Sequence, residues 1–291
     1  MTLQQLISLG IQASMALMVF CVGLHARPDD ISYLLRRPGL LVRSLLAMNV
    51  VMPAVAVAIA FWLDVDHALK VALIALSVAP VPPILPGTQI KDGGRESYVV
   101  GLLVTAALVS IVFVPAVAAL IGRLFGQEVH TAPSAIAWVV LTSLIAPLIA
   151  GVVLGRLAPK VAALLARPLA LVATAVLVVA FLPVLLKIWP AIVASFGNFT
   201  FVTIVAFCAI GIGVGHVFGG PDKEDRTVLA LATASRHPAV ALAVVRNTDE
   251  LLTPVLGIVL VALIVGAVLG AVYTKLSARA SAPGERQRQT G

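Results

Sequence analysis

The chain has 291 residues, 60% of them hydrophobic and 11% charged, with a mean hydropathy of +1.08. A soluble domain carries about a quarter charged residues, so this composition excludes one and reads as a single polytopic membrane unit. The net charge of +7 fits basic loops gathered on one side of a bilayer, and no nucleic-acid partner is expected.

At about 20 apolar residues per crossing, nine spans are predicted, at about 4–25, 40–62, 68–90, 96–122, 134–156, 162–186, 198–219, 226–247 and 254–275. No Lys or Arg precedes the first apolar run, and Arg27, Arg36 and Arg37 follow it. That is the reverse of a cleavable signal peptide, so the run stays as the first span. The transmembrane unit covers 1–276, and the polar tail from Ser277 to Gly291 reads as a disordered cytoplasmic segment.

Basic residues test the span count. With the N-terminus outside, fifteen fall on inner segments, among them Arg43, Lys91, Arg95, Arg156, Lys160, Arg167, Lys223, Arg226 and Lys275. Four (Lys70, Arg123, Lys187 and Arg246) fall outside, and Arg236 is left within a span. This asymmetry places the C-terminus in the cytoplasm and the protein in a cell, or inner, membrane. Cys21 and Cys208 lie in apolar segments without ligand spacing, so neither a disulfide, a metal site nor a cofactor is expected.

The third span is interrupted from Ala79 to Gly87, where Pro80, Pro82, Pro83, Pro86 and Gly87 crowd together. Each proline removes a backbone donor and clashes with the preceding turn. The eighth span is interrupted by Ser235-Arg236-His237-Pro238. Spans one to four (about 4–122) and six to nine (about 162–275) form two inverted four-helix repeats joined by a linking helix at about 134–156, each broken in its third helix. Interrupted segments at matching places of inverted halves point to a binding site near the midplane.

Between the breaks, Gly211, Gly215 and Gly219 recur every four residues and predict a close-packing helix face, with His216 beside it as a packing residue. Asn49, Thr105 and Ser110 either line a cavity or bond neighbouring helices, and Asp64, Asp66, Asp222, Glu224 and Asp225 read as solvated loop charges.

Broken helices expose amides that attract anions and carbonyls that attract cations. Arg236, the amides behind Pro238, and Ser235 therefore form a candidate site for one carboxylate or sulfonate, with Thr88, Gln89 and Asn49 adding polar contacts from the other half. The alternative for Arg236 is a built-in cation that caps the carbonyl end around Ala234 and Ser235. His237 has the chemistry to carry a proton.

The residues resemble the bile acid:sodium symporter superfamily over nearly the whole chain. The resemblance rests on Met18-Val-Phe-Cys-Val-Gly-Leu24, on Arg37-Pro38, and on a second span ending Asn49-Val-Val-Met-Pro53. Ala79-Pro80 falls at the family's first break and Ser235-Arg236-His237-Pro238-Ala239 at its second. It implies an all-α protein with a panel and a core domain, two broken helices crossing in the core, and solute moved by alternating access. It also implies a departure: the family's cation-binding glutamate aligns with Ala232, its Ser-Asn pair with Leu85-Pro86, its Ser and Thr ligands with Val99 and Leu103, and its glutamine with Met48. Hard cations need oxygen donors, so transport without sodium is expected, with Arg236 supplying the positive charge.

The function expected is a secondary transporter of a small organic or amphipathic anion, by uniport or proton-linked. No enzyme motif such as HExxH, GxSxG or a Walker pattern occurs. A sensor or scaffold that keeps the fold without transport is the reading from a third class.

Overall fold

In lipid a chain must satisfy its own backbone, which leaves helices for so apolar a sequence. The computed structural model describes residues 3–124, 133–194, 199–245 and 249–288, and holds no strand among them. The helices are α1 (Leu3–His25), α2 (Pro28–Ile31), α3 (Pro38–Leu46), α4 (Met52–Trp62), α5 (His67–Val78), α6 (Leu85–Lys91), α7 (Glu96–Leu124), α8 (Pro133–Val140), α9 (Ala146–Leu157), α10 (Pro159–Ala194), α11 (Thr200–Phe218), α12 (Lys223–Ala234), α13 (Pro238–Val245) and α14 (Asp249–Arg288). A π turn at Ala47–Val51 joins α3 to α4, and another at Leu141–Ile145 joins α8 to α9.

Counting each joined pair as one, seven helices are long and apolar enough to cross a membrane. The two broken pairs, α5 with α6 and α12 with α13, supply the remaining two segments of the expected nine. The fold is an all-α polytopic membrane protein.

Glycines determine which helices approach most closely. The helices α1, α9 and α10 pack on one another as one layer, the place of the expected panel. A Cβ added at Gly23, Gly151 or Gly155 would run into the backbone of Leu148, Phe20 or Leu24 respectively. The face predicted at Gly211, Gly215 and Gly219 has α12 as its partner: their added Cβ atoms would meet Thr233, Leu229 and Arg226, while Gly213 faces open space. So α11 holds the first half of the second broken helix at backbone distance.

Two expectations change. The first break is shorter than Ala79 to Gly87: Pro86 and Gly87 belong to α6, because a proline in the first turn of a helix gives up no intrahelical bond. Asp225 is not a solvated loop charge. It is buried and accepts from Arg95 Nε at 2.8 Å, with Asp222 and Glu224 exposed around the same guanidinium. This bond to Asp225 holds the Arg95 guanidinium above its ordinary pKa range. The helix α14 runs past Ser277 to Arg288, within the segment expected as a tail. Residues 289–291 of that tail, and Arg246 among the outer charges, lie outside the described residues.

Candidate functional site

Three prolines strip the helix carbonyls of Met48, Ala79 and Pro80 of their donors, and the freed oxygens meet at one place. In the π turn the Met52 amide donates to Ala47 O, so the next bond of that pattern, to Met48 O, would need an amide from residue 53. Residue 53 is proline and has none. At the end of α5, the helical donors for Ala79 O would come from residues 82 and 83, again both prolines. Pro80 O likewise loses its near donor at Pro83.

The second break supplies what the first lacks. Arg236 donates from Nη1 to Ala79 O and from Nη2 to Met48 O, each at 3.2 Å. The His237 amide, freed because α12 has ended and α13 has not begun, donates to Pro80 O at 2.8 Å. His237 O then accepts from Ala241 as the first carbonyl of α13, which Pro238 opens. The two interrupted helices are therefore stitched across each other by one guanidinium and one backbone amide.

Electrostatics agree with this arrangement. Arg236 is 4% exposed and sits where α5 and α12 both end. Each helix C-terminus carries roughly half an elementary negative charge, so the two together offset one guanidinium. Arg236 thus caps carbonyls of the opposite repeat and of the π turn, not those of Ala234 and Ser235. Its Nε has no partner among the described residues and borders a cavity of about 10 Å³ beside Phe207, Cys208 and Ala262, room for one water.

The residues expected to share one solute site separate into four environments. Arg236, His237 and Ser235 lie together in the sealed crossing; His237 is 0% exposed with both ring nitrogens unpartnered. Gln89 is buried in a cross-link, donating from Nε2 to Val228 O at 2.7 Å and tying α6 to α12. Thr88 is exposed and lines a cavity of about 760 Å³ between α1, α6 and α10. Asn49 sits half-buried in the π turn. Ser110 bonds Ala107 O within its own helix, and His216 bonds Tyr273 Oη at 2.8 Å as a packing residue.

Sequence reasoning missed two residues of the large cavity, Lys91 and Arg167. Both read as topology charges, and only the packing of α6 against α1 and of α1 against α10 brings them to one opening. Part of the signal for the Met48 carbonyl was present in Pro53, whose missing amide orphans an acceptor one turn earlier; that the acceptor is Met48 follows only from the π turn.

The model of the Sodium Bile acid symporter family matches residues 13–190, which is more than half of the chain and includes the first break but not the second. No curated protein matches the chain.

Proposed function

We propose, for a chain that belongs to the sodium bile acid symporter family, a secondary transporter that carries a small organic anion across the inner membrane without sodium. The observation that carries this reading is the Arg236 guanidinium on the Met48 and Ala79 carbonyls at the crossing. A permanent cation holds those two oxygens, so they are not free to coordinate a mobile one. The positions that the resemblance pairs with cation ligands are filled by packed apolar side chains: Ala232, Met48, Leu85, Val99 and Leu103 are each no more than 7% exposed. Sodium therefore does not fit this donor set.

Proton linkage through His237 has less support than uniport. The imidazole is sealed from water, and neither ring nitrogen has a partner among the described residues to pass a proton to. Solute has room instead in the 760 Å³ cavity, within the range of sites that enclose drug-sized molecules. The orientation with the N-terminus outside is supported by the basic inner segments and by the exposed Trp62, Trp138 and Trp189, which stand at the opposite ends of their spans as interfacial anchors do.

The test is counterflow in proteoliposomes loaded with unlabelled organic carboxylates or sulfonates. Trans-stimulated entry of the same labelled anion is expected for at least one of them. Binding without counterflow across the panel would make the protein a sensor of the same fold.

A further inference from the structure

The large cavity has a charged end and an apolar end. Leu24, near the finish of α1, packs with Ala162 and Ala166 near the start of α10, and Gly10 faces Val176 and Ala180. The two helices are thus antiparallel, so His25 and Arg167 share one end while Met18 and Thr174 share the other. At 1.5 Å per residue, the seven residues between each pair span about 10 Å. Ser97 donates to Asp30, five residues past His25, at 2.6 Å, so the start of α7 with Glu96, and Lys91 at the close of α6 just before it, belong to the charged end, while Pro83 and Ile84 lie a helix length away at the start of α6.

Neither Lys91 nor Arg167 has an ion-pair partner among the described residues. Glu96 is the one acidic residue in the lining, so Lys91, Arg167 and Glu96 together leave the opening an excess of one positive charge. Arg236, bonded to carbonyls and sealed, takes no part in this cavity.

We infer that Lys91 and Arg167 grip the anionic group of an amphipathic solute at the cavity's charged end, with the solute's apolar body directed inward toward Met18, Pro83 and Ala170. This rests on the organic-anion reading and moves its anion contact away from Arg236. The grip joins two parts of the fold, since Arg167 belongs to the α1, α9 and α10 layer and Lys91 to the second half of a broken helix. A carboxylate or sulfonate between them draws the two together; an uncharged isostere of the same shape fills the apolar end without doing so.

The experiment uses the full chain in nanodiscs of uncharged lipid, titrated calorimetrically with naphthalene-2-sulfonate and with the neutral naphthalene-2-sulfonamide. The native protein is expected to bind the sulfonate at least about tenfold more tightly, the size of one charge-assisted contact. Lys91→Gln and Arg167→Gln each weaken the sulfonate by about tenfold and leave the sulfonamide unchanged. Lys91→Arg retains binding, and Glu96→Gln strengthens it, because it removes the like charge. Sulfonate affinity within twofold of native in both glutamine variants overturns the grip while leaving the anion-carrier reading intact, as does a parallel loss of both probes. A native protein that binds the neutral probe as well as the anion overturns the grip and the anion-carrier reading together.

Discussion

Arg236→Met is expected to lose about 3 kcal/mol of stability, read as a lower midpoint in thermal or denaturant unfolding of the purified protein. Two effects oppose each other in this variant. Removing a buried charge is favourable when the charge is uncompensated. Here two helix C-termini offset it, so little is regained. The Met48 and Ala79 carbonyls meanwhile lose the donors that prolines had already denied them within their own helices. A buried acceptor left unmade costs about 1–3 kcal/mol, and two such losses outweigh the relief. Methionine keeps most of the side-chain volume, so the loss reports hydrogen bonds and charge rather than a cavity. An unfolding midpoint equal to that of the native protein would show that the carbonyls find other partners. Sodium provides a second readout: with the guanidinium gone, stabilisation of the variant by sodium over choline would indicate that the carbonyl site accepts a cation once it is vacant.

Gly215→Leu is the second change with a large expected effect. The added Cβ alone would meet Leu229 O and Ala230 Cα of α12, backbone atoms that cannot swing aside. Overpacking a tight contact costs about 1–3 kcal/mol and more where backbone must move. Here the helix displaced is the one that ends at Ser235 and aims Arg236. The variant should therefore yield little monodisperse protein, and surviving protein should show the unfolding defect of Arg236→Met. Gly213→Leu, whose position faces open space, serves as the control and should behave as the native chain does. Equal behaviour of the two variants would mean that α11 does not hold α12 in place.

The spans were legible because a bilayer imposes a length on every apolar helix, and the two breaks were legible because proline leaves a local signature. The face of Gly211, Gly215 and Gly219 could be read as a packing face, though not its partner. What could not be read were contacts between distant carbonyls and side chains. Arg236 reaches Ala79 and Met48 across 157 and 188 residues, and no spacing rule encodes which oxygen a guanidinium will find. For that reason the sequence leaves its two readings, a solute contact and a cap, level, and does not show that it bonds carbonyls of the other repeat. The contact of Gln89 is of the same kind, since its amide donates to Val228 O across 139 residues. Lys91 and Arg167 were hidden differently: the basic residues that orient a membrane protein are the same residue types that bind an anion at its inner opening.

The family name implies a coupling ion, and on the function proposed above Arg236 stands in for it. A tethered charge cannot be released with the solute, so on that proposal it adds no gradient to the transport cycle, the driving force left is that of the solute itself, and downhill movement in either direction is the expected behaviour.

The most direct test is uptake of a transported organic anion into proteoliposomes, with external sodium exchanged for choline at constant ionic strength. Equal initial rates in the two media are predicted. A several-fold stimulation by sodium would contradict the account, because it would require cation ligands that Arg236 occupies.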